Sequence, residues 1–228
     1  MISSIIHLLI PKRCNSCTDV LGRNENEICT NCRNELPVID PSVFTTNYIQ
    51  KVFDKGTDIE NFSSLFYFEK NTEVQELLHN LKYRKHQYLG KTIGDWHSSI
   101  LLKNNNLKKI DLVIPIPIHK KRLYERGYNQ VSLYAKTISK TLDANFEENL
   151  LLKTKHKKSQ VFLSRKERFD NILDSIYLTN PNLIKGKHIL LVDDLVTTGA
   201  TMSACVSCLK EVECKISVTS IALVSNEG

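Results

Sequence analysis

The chain predicts an α/β domain on a mainly parallel sheet flanked by helices, preceded by a small cysteine-rich module. Three observations carry this. Apolar runs suited to strands, at 63–69, 111–116, 188–193 and 216–224, alternate with segments whose apolar residues recur at helical spacing. Residues 189–201, ILLVDDLVTTGAT, pass from an apolar strand through two acids to a Thr/Gly turn and a helix start. Near the N-terminus Cys14, Cys17, Cys29 and Cys32 form C-x2-C-x11-C-x2-C.

Taken in order, residues 1–40 are expected to form the small module. Its first element, 3–9, reads as a short amphipathic helix packing on the domain. Paired C-x2-C knuckles suit a tetrahedral Zn(2+), because each turn presents two thiolates to one point, and four protein ligands make such a site structural. So small a segment lacks a large core, and metal would supply its folding energy. A disulfide scaffold is the alternative reading. Glycine often follows the second cysteine of a knuckle; Thr18 and Arg33 stand there instead. Residues 41–62 read as a linker, punctuated by Pro41 and Gly56.

The domain then runs over 63–228. After the strand at 63–69, Thr72 is a candidate N-cap for a helix with Val74, Leu77, Leu78 and Leu81 on one face. A second helix covers 88–102, with Ile93, Trp96, Ile100 and Leu101 facing the core. Strand 111–116 leads through a loop to a helix at 128–143, built on Val131, Leu133, Tyr134, Ile138 and Leu142. A short strand at 148–152, a basic loop at 154–170, strands 172–178 and 188–193, a helix at 200–212 and strand 216–224 complete the pattern. Cys205, Cys208 and Cys214 read as small core residues. Ligands of such sheets sit outside the carboxyl ends of the strands, so the loops after Ile116 and Val192 share a rim.

The 228 residues accommodate one medium domain plus a small module. No apolar run approaches the roughly 18–20 residues needed to cross a bilayer, and the apolar N-terminus lacks the basic flank of a leader. A cytoplasmic, reducing location is the expectation, which favours zinc over disulfides. The net charge of +6 is modest but gathers at 119–126 and 153–168. Such clusters attract nucleic acid or a small polyanion. No aromatic ladder is interleaved with them, which favours the small anion.

Residues 189–201 carry the chemistry. The turn and helix start would aim backbone N–H groups and a helix dipole at a phosphate. Thr197, Thr198 and Thr201 add hydroxyls, with Ala200 between them, and Gly199 permits positive φ and close approach. Asp193 and Asp194 suit the 2′ and 3′ hydroxyls of a ribose, so a ribose 5-phosphate would satisfy both halves. A Walker A loop is excluded because no lysine follows the glycine in register. A phosphate-receiver domain opens similarly, but only a helix and a strand fit after Gly199. An ordinary strand–turn–helix with exposed acids is the remaining reading.

The acidic/TTGAT run resembles the PRPP-binding motif of type I phosphoribosyltransferases. With residues 113–130, VIPIPIHKKRLYERGYNQ, residues 160–171, QVFLSRKERFDN, and the four cysteines, the chain resembles the ComF family over nearly its whole length. Those proteins are associated with bacterial DNA uptake and are related to the synthase half of amidophosphoribosyltransferase. The resemblance implies a PRPP site at Asp193, Asp194 and 197–201, with Mg(2+) accompanying the ligand. It implies a pyrophosphate loop drawing on His119, Lys120, Lys121, Arg122 and Arg126. It implies a mobile loop carrying Gln160, Arg168 and Asn171. The expected activity is transfer of phosphoribose to an unidentified nucleophile. The alternatives are a non-catalytic protein handling single-stranded DNA and a PRPP sensor. A homo-oligomer is compatible with either.

Overall fold

A computed structural model describes residues 11–53, 57–83, 86–103, 107, 109–153 and 175–224. The helix expected at 3–9, the basic loop 154–170 and with it Gln160 and Arg168, and Asn171 lie outside the described residues.

In chain order the elements are α1 (Thr30–Glu35), α2 (Thr46–Val52), β1 (Asn61–Phe68), α3 (Glu73–Tyr83), α4 (Gln87–Leu101), β2 (Leu112–Pro115), α5 (Lys120–Arg126), α6 (Ser132–Thr141), β3 (Asn145–Phe146), β4 (Leu151–Lys153), β5 (Ile176–Leu178), β6 (His188–Val196), α7 (Ala200–Leu209) and β7 (Lys215–Val224). Five strands make one parallel sheet in the order β1-β7-β6-β2-β3. The expected α/β architecture is therefore present. Strands covered on both faces read as continuous apolar runs. Ile189, Leu190, Leu191 and Val192 are all fully buried. Leu190 and Val192 join the core beneath α3, α4 and α6, while Ile189 and Leu191 join the one beneath α2 and α7.

The helices follow their apolar spacing. On α3, Val74, Leu77, Leu78 and Leu81 are buried; the Thr72 hydroxyl donates to the Glu69 carbonyl just ahead of it. On α4 the buried face is Leu89, Ile93, His97 and Leu101, with Trp96 and Ile100 only at its margin. Gly90 and Gly94 let α4 approach α6 closely: a Cβ at Gly94 would meet the Thr137 Cβ at 2.8 Å. His97, fully buried, lies between the Ser63 hydroxyl at 3.1 Å and the Tyr134 hydroxyl at 2.5 Å.

Several elements differ from expectation. The segment read as a linker contains a 3-10 turn at Pro41–Val43 and α2, which buries Ile49 and Val52; Phe53 follows, also buried. Local capping starts both helices: Asp40 accepts from the Ser42 N–H at 2.8 Å and Thr45 from the Tyr48 N–H at 3.3 Å. The residues after β2 form α5 instead of a loop, and α6 begins at Ser132, four residues after the expected start. The short strand expected at 148–152 is β4, shifted to Leu151–Lys153, and β3 was not expected. β5 occupies the described end of the expected 172–178 strand and pairs antiparallel with β4, outside the main sheet. α7 ends at Leu209, short of 212. Cys205, Cys208 and Cys214 are buried, as core residues should be.

Candidate functional site

The carboxyl ends of β2 and β6 lie side by side, with Pro115 paired to Val192. The strand β6 does not leave the sheet at the acids; it runs through Asp193 and Asp194 to Val196. Thr197 and Thr198 are exposed in the turn that follows, Gly199 is buried, and Ala200 and Thr201 are partly buried at the start of α7. Gly199 occupies the N-cap position with φ of 70°, and no side chain caps the helix. Gly199 therefore offers no side-chain acceptor to the first-turn N–H groups at the positive end of a ten-residue helix. The glycine is also needed for a reason beyond ligand approach. A Cβ there would lie 2.9 Å from the Phe53 ring and 3.0 Å from the Val52 carbonyl oxygen.

An ideal strand sends neighbouring side chains to opposite faces. Near the acids this alternation slips: Leu195 packs in the same core as Leu190 and Val192. The two carboxyl groups remain close enough to interact. Burial, then the charge and hydrogen bonding of Asp194, push the Asp193 carboxyl well above the usual range, opposed in part by Lys82. Asp193 Oδ1 also accepts from the Asp194 N–H at 2.8 Å. Asp194 itself, with 8% of its side chain exposed, holds the Lys82 Nζ at 2.7 Å. Two carboxyl groups that oppose each other's ionisation at a strand end are unfavourable for stability, and such perturbed pairs concentrate at functional sites.

Basic groups complete the rim. Burial lowers the Lys153 ammonium pKa, with Cys205 and Asp193 opposing that shift and Arg122 adding to it. Lys153, Arg122 and Asp193 therefore share one electrostatic neighbourhood. His119 caps α5, its Nδ1 accepting from the Lys121 N–H at 3.1 Å. Lys120 and Lys121 are exposed on that helix, and Lys121 reaches Glu125 at 3.8 Å. Arg126 is engaged within the protein, donating to Gln130 Oε1 at 2.6 Å and lying 5.1 Å from the Tyr83 ring centroid. Asn129 donates to the Ile116 carbonyl at 3.0 Å and so pins the exit of β2. The Tyr128 hydroxyl donates to the Leu81 carbonyl at 2.7 Å. Neither Lys82 nor Lys153 was singled out from sequence. Lys153 opened a basic run whose members the sequence could not rank, and Lys82 gave no local signal at all.

The four cysteines converge on one another. Their Sγ atoms lie within 4.8 Å of one another, and those of Cys17 and Cys29 are 3.7 Å apart. Tetrahedral zinc with Zn–S bonds near 2.3 Å spaces its sulfurs about 3.8 Å apart, whereas a disulfide needs about 2.05 Å. The donor set and spacing therefore fit a four-thiolate metal site. Burial disfavours the Cys14 thiolate, yet backbone N–H groups of Cys29, Cys17 and Ser16 hold its pKa below the ordinary value. Thr18, where a knuckle often has glycine, adopts φ of 69°.

Residues 131–228 match the phosphoribosyl transferase domain family. Competence protein ComFC of Bacillus subtilis (strain 168) is 30% identical over 218 residues, which span 93% of this chain and 84% of that protein. The chain belongs to the ComF family. Competence protein F of Haemophilus influenzae is another ComF relative, 28% identical over 176 residues, 77% of this chain and 69% of the relative. Against several further curated relatives the ComF chain spans just over half of their length, 58% in one case. Among solved structures, adenine phosphoribosyltransferase from Leishmania tarentolae aligns with a TM-score of 0.40 and 10% identity, over 66% of this chain and 74% of that one. Among the described residues, no helix of this ComF protein is long and apolar enough to cross a membrane.

Proposed function

We propose that the chain binds PRPP at the rim formed by β6, the Thr197–Gly199 turn and α7, and transfers its phosphoribose to a nucleophile in a step connected with DNA uptake. The observation that carries this reading is the uncapped N-terminus of α7 beside two interacting carboxylates at the carboxyl end of a parallel sheet. The 5-phosphate would take the N–H groups of the α7 first turn and the hydroxyls of Thr197, Thr198 and Thr201. Asp193 and Asp194 would accept from the ribose hydroxyls. Diphosphate leaves the anomeric carbon as the nucleophile attacks it, and the protein's part is to hold charges in place during that exchange. Lys153 and Arg122 would face the departing diphosphate. Mg(2+), when bound, supplies charge neutralisation to the diphosphate. The residues present fit a cation that arrives with the ligand, because the Lys82 Nζ already lies 2.7 Å from Asp194 Oδ2. Cys14, Cys17, Cys29 and Cys32 would hold structural zinc, a reading supported by their Sγ atoms lying within 4.8 Å of one another.

Calorimetric titration of PRPP with Mg(2+) into the wild type and the Asp193→Asn, Asp194→Asn double variant tests the site. Asparagine is near-isosteric but lacks the charge that strengthens acceptance from hydroxyls. At roughly 1.5–3 kcal/mol per charged hydrogen bond, affinity should fall between tenfold and several thousandfold. Unchanged affinity in the variant rejects the ribose assignment.

One observation favours a second reading, that of a protein handling single-stranded DNA. The helix α5 buries none of its residues and displays Lys120, Lys121 and Arg122 beside Leu123 and Tyr124, the latter 91% exposed. Cations flanking an exposed ring suit a phosphodiester chain with stacked bases. Competence and DNA utilization are also the names carried by the relatives. Salt-sensitive binding of single-stranded DNA without release of diphosphate from PRPP would select this reading.

A further inference from the structure

Two carboxylates close enough to perturb each other form, on their own, a hard oxygen site suited to a bare divalent cation. In this chain a residue from a distant segment stands beside that pair. Lys82 lies in the last turn of α3, and its Nζ is 2.7 Å from Asp194 Oδ2, with only 22% of the lysine side chain exposed. Its neighbours fix that turn. The Leu81 carbonyl accepts the Tyr128 hydroxyl at 2.7 Å, and the Tyr83 ring lies under Arg126 at 5.1 Å. The turn that carries Lys82 is therefore tied on both sides along the chain, and the ammonium itself meets Asp194.

We propose that Lys82 is the built-in counter-cation of the acidic pair: it holds Asp194 toward the ligand space and occupies the place a divalent cation would take, so that the pair reads the hydroxyls of a ribose phosphate and not a naked metal ion. This rests on the ribose-phosphate reading above for its ligand, but not for its electrostatics. An ammonium has three N–H donors. Its ion pair with Asp194 Oδ2 at 2.7 Å lacks hydrogen-bond geometry, and that oxygen is buried without a hydrogen-bond partner among the described residues, so the ammonium's donors stay open to an oxygen of the ligand. Lys82 is thus a positioning residue whose loss should do two opposite things. Ribose-phosphate binding should weaken, and an affinity for free divalent cations should appear.

The experiment uses the full chain and two probes, Mn(2+) followed by water-proton relaxation and ribose 5-phosphate followed by calorimetry. Mn(2+) prefers oxygen donors, so the four thiols do not report on it. Lys82→Met should bind Mn(2+) at least about tenfold more tightly than the wild type and ribose 5-phosphate at least about tenfold more weakly, the size expected for one charged contact. Lys82→Arg keeps the charge and should follow the wild type in both. Lys82→Met combined with Asp194→Asn should lose the gained Mn(2+) affinity, which places that ion on the pair. Lys82→Gln supplies the neutral side chain if the methionine variant does not fold. Equal Mn(2+) affinity in wild type and neutral variants overturns the proposal. A Mn(2+) gain alongside a wild type that ignores ribose 5-phosphate leaves the counter-cation standing and removes the ribose reading.

Discussion

Gly199→Ala puts one methyl group where the structure has least room for it. Two costs add. The residue sits at φ of 70°, and an L side chain in the left-handed region costs about 1–2 kcal/mol. The new Cβ would also lie 2.9 Å from the Phe53 ring and 3.0 Å from the Val52 carbonyl oxygen. Relieving such overpacking costs about 1–3 kcal/mol, because the backbone oxygen cannot swing aside as a side-chain tip can. The total is about 2–5 kcal/mol, a large share of the roughly 5–15 kcal/mol that holds a domain folded. Gly127 supplies the control. Its φ is 79°, yet nothing lies within 4 Å of its ideal Cβ, so Gly127→Ala should cost only the conformational part, about 1–2 kcal/mol. Urea denaturation of the three proteins at neutral pH reads the difference in midpoint at constant slope. Phe53→Leu should also cost less in the Gly199→Ala background than in the wild type, since the two groups compete for one space. Equal costs for the two glycine variants would refute the packing of Val52 and Phe53 against the Thr197–Gly199 turn.

Two further outcomes follow from groups outside the rim. The chain purified without added metal should carry one zinc per molecule, and a strong chelator should remove it with loss of thermal stability; elemental analysis beside calorimetry checks both, and a metal-free protein of unchanged stability refutes the four-thiolate assignment. His97 is held neutral by burial, which lowers its pKa from 6.5 to about 3. The unfolded chain therefore binds a proton that the folded one refuses, so stability is complete above pH 6.5 and falls toward pH 3 by roughly 4–5 kcal/mol in all. Urea midpoints between pH 4 and 7 should show this slope, and His97→Gln should reduce it; an unaltered slope would place the acid sensitivity elsewhere.

The legible parts of the fold were those whose cause is local and periodic. The run at Ile189–Val192 and the spacing Val74, Leu77, Leu78, Leu81 are consequences of burial, and burial leaves its period in the sequence. The helix α5 buries nothing, so no period existed to detect; it stands on the His119 cap and the Gly127 turn. The helix α2 had its cap at Thr45 in plain view, but seven residues with two buried positions make too short a pattern to outweigh the surrounding prolines. At the rim, Asp193, Asp194 and the Thr/Gly turn were readable because one continuous segment holds them. Lys82 and Phe53 were not, since each reaches the rim through the tertiary fold and sits in a segment that looks unremarkable alone. Arg126 carried a clear cationic signal, and only the structure shows Gln130 and Tyr83 as its partners.

The helix α3 explains why the cysteine module and the ligand rim belong to one chain. Its Leu77 and Leu81 share a buried cluster with Cys14, Ile28, Cys29, Cys32 and Leu36. Its Asn80, buried, donates to the Asn15 carbonyl within the first knuckle at 2.8 Å. Two residues later Lys82 meets Asp194, while Leu81 meets Tyr128 in the turn between α5 and α6 and Tyr83 meets Arg126 at the end of α5. A helix is stiff along its axis, and these contacts occupy consecutive positions in its last turn. Any shift of the module that carried Asn80 with it would therefore move the counter-charge of the acidic pair. The four thiols stand far from Asp194 in sequence, yet a metal held by them would stabilise the same helix that carries Lys82 to Asp194. That coupling needs no ligand contact from the module itself. It follows from a small domain in which the cysteine knuckles serve as one wall of the core.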